Sequence, residues 1–242
     1  MKTRADLLLV ARGLFESRAK ARAAIEAGGV TADGRAVLKA AELVAGDAVI
    51  EAQPAHPWVG RGALKLEHAL TAWPIAVAGR VALDVGASTG GFTEVCLAAG
   101  ARRVYAVDVG RGQLHASLAD DPRVVILEGL DARRLTTAEI PETPQLVVCD
   151  VSFIGLAKAL PAALALAAPG ADLVALVKPQ FEVGPQAVGK GGLVKDAAAQ
   201  DAALQGVETF LTQAGWTVRA ALDSPIAGGD GNRERLLWAQ KG

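Results

Sequence analysis

Apolar positions change their spacing partway along the chain, and the change divides it. In the first segment Leu7, Leu8 and Leu9 fall inside a short helix, Ala5 to Arg12, ended by Gly13 as the residue after the helix terminus. Ser17 is suited to cap a second helix, Arg18 to Ala27, with Ile25 inward and Arg18, Lys20 and Arg22 outward. Gly28-Gly29 stops that helix. Val30-Thr31-Ala32, an Asp33-Gly34 turn and Val37-Leu38 then read as a hairpin, and Asp47 to Glu51 as one more strand. Gln53-Pro54-Ala55-His56-Pro57 is an extended linker, because proline biases the preceding residue away from helix. Past it, Trp58-Val59-Gly60-Arg61-Gly62 leads into a helix, Ala63 to Ala72, expected to bury Leu64, Leu66, Ala69, Leu70 and Trp73. The boundary falls near residue 57, giving a small α+β domain over 1–57 and a second domain over 58–242.

From Arg80 the pattern becomes α/β. Apolar, β-branched runs at Val81–Val85, Val104–Val107, Val124–Leu127, Leu146–Cys149, Leu173–Val177, Val218–Leu222 and Leu236–Trp238 predict about seven strands. Helices are predicted at Gly91–Ala99, Gly112–Ala119, Gly155–Ala167 and Ala197–Ala214. Strands separated by helices mean βαβ units, hence a Rossmann-like, mostly parallel sheet covered on both faces. The last strand follows its predecessor without a helix and is expected to pair antiparallel at or near the edge.

The sharpest local signal is D-V-G-A-S-T-G-G, Asp84 to Gly91, between the first strand of that sheet and its helix. Glycines there allow a tight turn and close approach of backbone to a ligand. A dinucleotide site would want G-x-G-x-x-G around a pyrophosphate, but here an acid, Asp84, sits at the strand end. A carboxylate is unwelcome beside a diphosphate and suits a cationic amino group, such as the methionine end of S-adenosylmethionine. The second strand ends in Asp108, placed to accept from both ribose hydroxyls, and Asp131 follows the third at a height suited to the adenine amino group. The cofactor residues expected are Asp84, Gly86, Ala87, Ser88, Gly90, Gly91, Phe92, Asp108, Asp131 and Asp150. Any one acid alone could be a solvated loop residue or a helix cap; three in successive strand–loop units beside a glycine turn point to a site.

Two polar residues close the next strands, Asp150 after Leu146–Cys149 and Lys178 after Leu173–Val177, at the strand ends where open α/β sheets bind ligands. The structural alternative for Lys178 is a lysine snorkelling at the sheet rim. Phe153 reads either as a platform for a target nucleoside or as a core residue. The loop Val183 to Lys195, with four glycines, Lys190 and Lys195, is either a cover for the site or a plain surface loop.

Residues 4 to 34, R-A-D-L-L-L-V-A-R-G-L-F-E-S-R-A-K-A-R-A-A-I-E-A-G-G-V-T-A-D-G, resemble an S4 RNA-binding domain. Further on, R-G-A-L-K-L (61–66), D-V-G-A-S-T-G-G-F-T (84–93), D-V-G-R-G-Q-L (108–114), D-V-S-F-I (150–154), V-K-P-Q-F-E-V-G (177–184) and S-P-I-A-G-G-D-G-N-R-E (224–234) resemble the TlyA family. These are S4-containing relatives of FtsJ-type ribose methyltransferases, often labelled haemolysins. The resemblance implies 2′-O-methylation of ribosomal RNA cytidines with S-adenosylmethionine, and a Lys-Asp-Lys-Glu tetrad at Lys65, Asp150, Lys178 and Glu234. It also implies that Arg4, Arg18, Lys20, Arg22 and Arg61 grip the RNA. In such a tetrad Lys178, partly desolvated and near the Lys65 cation, would have a lowered pKa and serve as base, with Asp150 and Glu234 holding the lysines. Positioning in line would supply most of the rate. The chain opens three residues before the first S4 motif residue and ends eight after Glu234, as in the shorter members of the family. That favours 23S over 16S rRNA.

Composition adds bounds. Residues 1–65 hold 10 Lys and Arg against 7 Asp and Glu, a balance of +3; the rest holds 15 against 19, a balance of −4. A basic head on an acidic body fits an RNA-contacting domain leading an enzyme acting on ribosomal RNA or a ribosomal subunit. Aromatic residues are 4% of the chain, too few for broad stacking of single-stranded bases. Cys96 and Cys149 sit in apolar runs and read as buried small hydrophobes in a reducing cytoplasm. No histidine is placed to supply a metal, and none is needed. The most apolar stretch, Ile154 to Ala168, is interrupted by Lys158 and Pro161 and falls short of the roughly 18 apolar residues of a membrane span. The protein is therefore expected in the cytoplasm. A non-catalytic RNA-binding assembly factor is the competing reading, and a membrane-lytic haemolysin is disfavoured. Methylation of DNA or protein is disfavoured by the S4-like head.

Overall fold

The computed structural model describes residues 2–228 and 230–242; Met1 and Gly229, the latter inside the last sequence motif, lie outside the described residues. The chain divides into two compact units, Met1–Pro57 and Trp58–Gly242.

The first unit runs β1 (Lys2–Arg4), α1 (Ala5–Ala11), α2 (Arg18–Glu26), β2 (Val30–Ala32), β3 (Arg35–Ala36), β4 (Leu43–Ala45) and β5 (Ile50–Ala52). The helices bury Leu8, Leu9, Ala21, Ala24 and Ile25 against Val30, Val37 and Val44. Ser17 caps α2, its hydroxyl accepting from the Lys20 N–H at 3.3 Å. Asp33 (φ 49°) and Gly34 (φ 75°) both take the left-handed conformation that a two-residue hairpin turn requires. The return strand therefore starts at once, with Ala32 opposite Arg35, rather than at the expected Val37-Leu38. Val37 turns into the core instead. The strand expected over Asp47 to Glu51 begins only at Ile50. Ala48 N–H closes a turn onto Ala45 O (3.1 Å), and Val49 N–H goes to the Asp33 carboxylate (2.8 Å). β1 and β4, unforeseen in the sequence, pair with each other.

The second unit is a seven-stranded sheet. Its elements are α3 (Ala63–Ala72), β6 (Val81–Val85), α4 (Gly91–Ala98), β7 (Arg103–Asp108), α5 (Ala116–Ala119), β8 (Val124–Glu128), β9 (Leu146–Cys149), α6 (Leu156–Ala159), α7 (Pro161–Leu166), β10 (Asp172–Val177), α8 (Pro179–Glu182), α9 (Ala197–Gln213), β11 (Trp216–Asp223) and β12 (Arg235–Lys241). The strand order is β11-β12-β10-β9-β6-β7-β8. β8, β7, β6, β9 and β10 are mutually parallel, and β12 lies antiparallel between β10 and β11. Alternate residues face two separate cores, Leu83, Val147 and Leu173 on one side and Ala82, Val148 and Val174 on the other. Both faces of the central strands must then be apolar, which is why these strands read as unbroken runs.

Two helices are shorter than expected. The segment from Gly112 is helical only over Ala116–Ala119, because the Glu128 carboxylate takes the N–H groups of Gly112, Gln113 and Leu114 in a loop conformation. The helix expected over Gly155–Ala167 breaks in two at Leu160, since Pro161 has no N–H to continue it and serves as the first residue of α7. Among the described residues no helix is long and apolar enough to cross a membrane.

Candidate active site

Three glycines in the turn after β6 stand where a side chain would collide with the rest of the fold. Gly86 has φ 87°, and a Cβ there would lie 2.7 Å from the Asp150 carbonyl oxygen. Gly90 has φ 95°, and a Cβ would fall 2.3 Å from Leu118 Cδ1. Gly91 lets the start of α4 approach the start of α3, where a Cβ would stand 2.9 Å from the Ala63 nitrogen. The turn walls a cavity of about 200 Å3 lined by Gly60, Arg61, Gly62, Gly86, Ala87, Ser88, Thr89, Gly91, Phe92, Asp150, Ser152 and Lys178.

Asp84 lies beneath this turn, fully buried. Its Oδ2 accepts from the Thr93 hydroxyl at 2.7 Å, while its Oδ1 has no hydrogen-bond partner. Burial, only partly offset by Thr93, pushes this carboxyl up to about 7. Asp108, at the end of β7, accepts from Ser88 N–H (2.8 Å) and Gly110 N–H (2.7 Å), so it pins the turn and its own loop together. Asp131 caps a 3-10 turn over Ala132–Arg134 and is engaged by the Arg133 guanidinium at 2.6 Å, whose hydrogen bonds hold it at about 2.

The four tetrad positions come together. Asp150 follows β9 and Lys178 follows β10, neighbouring parallel strands, so both emerge at the same edge. β12 runs antiparallel with Arg235 opposite Val177, which sets Glu234, one residue earlier, beside Lys178 at that edge. Lys65 arrives from α3. Its Nζ lies 2.7 Å from Glu234 Oε2 and 3.6 Å from Asp150 Oδ2, while Lys178 Nζ lies 2.6 Å from Asp150 Oδ1. The result is a chain of alternating charge, Lys178–Asp150–Lys65–Glu234, in which both lysines and the glutamate are buried. Helical periodicity had turned Leu64 and Leu70 inward; both are half-buried, and Lys65 is among the residues α3 buries instead. Burying a lone lysine or glutamate would be prohibitive, whereas paired charges are tolerated. Lys178 does not snorkel to solvent, as the rim alternative would require.

Sequence reasoning missed Ser152, whose Oγ accepts from Lys178 Nζ at 2.9 Å. It also passed over Gln180, Phe181 and Asp230, which join Ser152, Phe153, Lys178 and Glu234 around a second cavity of about 470 Å3. Ser152, Gln180 and Phe181 stand inside motifs flanking strand ends, and that position is the signal that could have found them. Phe153 is 91% exposed and adopts φ 66°, with its ring 5.3 Å from that of Phe181. This removes the core reading of Phe153. A non-glycine residue held in that conformation costs on the order of 1–3 kcal/mol, which the rest of the fold sustains. The loop over 183–195 is tied down: buried Asn232 donates to Gly192 O (2.8 Å) and accepts from Val194 N–H (2.9 Å).

On the first unit, Arg4 and Arg18 converge on Asp6, at 3.0 and 2.8 Å. The Arg4 hydrogen bond, with help from Arg18 and against burial, holds the Asp6 carboxyl well below the usual range. Lys20 pairs with Glu16 and Arg22 with Glu26, each at 2.6 Å. Arg4, Arg18 and Arg22 line a groove of about 620 Å3 together with Lys39, which sequence reasoning overlooked. Arg61 belongs to the second unit and is exposed at the rim of the glycine-turn cavity. Among the described residues no group of three or more His, Cys, Asp or Glu side chains could hold a metal ion.

A parallel sheet with an antiparallel hairpin at one edge, a glycine turn over a buried acid, and a Lys-Asp-Lys-Glu chain at the strand ends define a Rossmann-like methyltransferase. Residues 58–241 match the FtsJ-like methyltransferase family and residues 3–50 the S4 domain. The chain is 48% identical over 239 residues to the 16S/23S rRNA (cytidine-2′-O)-methyltransferase TlyA of Mycobacterium tuberculosis, covering 98% of this chain and 89% of that one. It is 42% identical to YqxC of Bacillus subtilis, covering 100% and 88%. A solved structure of a hemolysin-named protein from Streptococcus thermophilus superposes with a TM-score of 0.79 at 38% identity, covering 99% and 88%. The chain belongs to the TlyA family of S4-domain, FtsJ-like methyltransferases.

Proposed function

We propose that the protein transfers a methyl group from S-adenosylmethionine to the 2′-hydroxyl of cytidine in ribosomal RNA, acting in the cytoplasm. The observation that carries this reading is the meeting of two cavities at Lys178 and Ser152. One is walled by the glycine turn, the other by the exposed Phe153 and the half-buried Phe181. The residues fit the cofactor: the glycine turn walls a cavity lined largely by backbone and small side chains, and the orphaned Asp84 Oδ1 offers an acceptor beneath it. Gly86, Ala87, Ser88, Gly91 and Phe92 would hold its amino-acid end. Asp108 retains acceptor capacity for ribose hydroxyls, since each carboxylate oxygen takes more than one hydrogen bond. Asp131 would meet the adenine at the end of the same row. When bound, the cofactor supplies an electrophilic methyl group on a sulfonium.

The remaining work falls to the chain. A ribose hydroxyl is a weak nucleophile, so its proton must leave as the new carbon–oxygen bond forms. Lys178 Nζ lines both cavities and, in its neutral amine form, receives that proton. Asp150 and Ser152 fix the direction of Nζ, and Lys65 draws on the same carboxylate, which limits its hold on Lys178. Glu234 fixes Lys65 in turn. Phe153 packs on the target nucleoside, and Arg4, Arg18, Lys20 and Arg22, with Arg61, hold RNA phosphates, positioning rather than specifying.

The test is transfer of label from tritiated S-adenosylmethionine to ribosomal RNA or subunits from a host lacking this activity. Label recovered as alkali-resistant 2′-O-methylcytidine supports the reading, and label on 23S alone when both RNAs are offered supports the narrower expectation. RNA binding and cofactor binding without transfer to either RNA would instead favour a non-catalytic assembly factor.

A further inference from the structure

Gln180 is fixed in an unusual way. Its Nε2 donates to Asp230 Oδ2 at 2.9 Å, while its Oε1 is buried and has no hydrogen-bond partner. A carboxylate only accepts, so the amide cannot be turned over without setting oxygen against oxygen. Asp230 is itself held by the Asn232 N–H at 3.1 Å. Although burial pushes its carboxyl up, hydrogen bonds from Asn232 and Gln180 keep it below the usual range, so it remains an acceptor at neutral pH. Gln180 and Asp230 line the cavity shared by Lys178, Glu234, Phe153 and Phe181. At about 470 Å3 that cavity lies within the roughly 300–1,000 Å3 of small-molecule sites. A buried acceptor left unpaired is costly and is relieved by a donor from the ligand.

Cytosine and uracil differ at two positions of their pairing edge: cytosine carries a 4-amino donor and an N3 acceptor, uracil a 4-carbonyl acceptor and an N3–H donor, and the 4-position is the one read here. We propose that Gln180, oriented by Asp230, accepts a hydrogen bond from the 4-amino group of the target cytosine and so selects cytidine over uridine. The inference rests on the ribose-methylation reading above. A uracil in the same place would set its O4 against Gln180 Oε1 and leave both acceptors unpaired, the kind of mismatch that hydrogen-bonding sites reject most strongly. Gln180 is then a specificity residue, and Asp230 a positioning residue that acts through it. Neither takes part in proton transfer.

The experiment compares two ribosomal RNA fragments identical except for cytidine or uridine at the methylated nucleotide, with kcat/KM measured on each. The unchanged protein is expected to prefer cytidine by about 10–100-fold. Gln180→Leu should lose most of that ratio, slowing on cytidine and no longer discriminating against uridine, while its cofactor Kd stays constant. Asp230→Ala, on the exposed loop, frees the amide to turn and should lower the ratio in the same direction, which keeps the test open should Gln180→Leu fold poorly. Equal losses on both RNAs, or an unchanged ratio in either folded variant, would overturn the assignment while leaving the methyltransferase reading standing. No transfer by the unchanged protein to either fragment would overturn both.

Discussion

Lys65 and Glu234 form the most buried ion pair of the site, with Nζ and Oε2 2.7 Å apart and side chains 8% and 3% exposed. Replacing Lys65 by Met keeps the length of the side chain and leaves the Glu234 carboxylate without its cation. Breaking a buried pair from one side costs about 3–5 kcal/mol. In a unit of this size that corresponds to roughly 6–20 °C in melting temperature, at about 2–4 °C per kcal/mol. Glu234→Gln should cost less, about 1–3 kcal/mol, because Lys65 keeps Asp150 at 3.6 Å and an amide oxygen can still accept from it. The double variant Lys65→Met, Glu234→Gln buries no charge at either position. It should be more stable than Lys65→Met alone, so the two changes couple by more than about 1 kcal/mol. Urea unfolding followed by tryptophan fluorescence is the assay, since Trp58, Trp73, Trp216 and Trp238 all lie in the second unit and report on it alone. Single-variant costs that add to the double within about 0.5 kcal/mol would refute the reasoning, for the two groups would then be solvated independently.

Three further outcomes follow from the geometry. Gly90→Ala places a Cβ 2.3 Å from Leu118 Cδ1 at φ 95°, and should destabilise the second unit by about 2–4 kcal/mol in urea unfolding while weakening cofactor binding in calorimetry. Asp84, pushed up to about 7 from an ordinary 3.8, keeps a proton in the folded chain that the unfolded chain has lost between those values. Stability attributable to it therefore falls as pH rises from about 4 to 7 and is level above; Asp84→Asn should remove that slope, seen as a difference in urea midpoint between pH 5 and pH 8 relative to the unchanged protein. Arg18→Ala should weaken RNA binding and lower the slope of log K against log salt by about one, with cofactor binding unaffected in a filter-binding and calorimetric comparison.

The sheet was the most legible part of the sequence. Its central strands are buried on both faces, so each appears as an uninterrupted apolar run bounded by loop residues, and Leu146–Cys149 could be delimited to the residue. The three-residue strands β1 and β4 carry too few positions for any period to register, and they were missed. Gly155 to Ala167 shows one helical pattern, yet Pro161 outweighs it locally. The site was legible where a polar residue closes an apolar strand, as Asp150 and Lys178 do. Lys65 could be found only through a family motif: its burial is decided by Asp150 and Glu234, distant in sequence, and amphipathic spacing on α3 points to its leucine neighbours instead. The pairing of Gln180 with Asp230 was not legible for the same reason, since it spans fifty residues, although Gln180 itself stands in a motif at a strand end. Phe153 left two readings open because a phenylalanine in a short loop gives no periodicity; its left-handed backbone and exposure emerge only in three dimensions.

We propose that Lys178, as a neutral amine, takes the proton from a ribose hydroxyl between the cofactor and nucleoside cavities. The most direct test is Lys178→Ala, with methyl transfer to ribosomal RNA and S-adenosylmethionine affinity measured on the same preparation. Loss of a general base should lower the transfer rate by about 100-fold or more while the cofactor Kd changes little. Transfer at an unchanged rate, with cofactor still bound, would rule out Lys178 as the base.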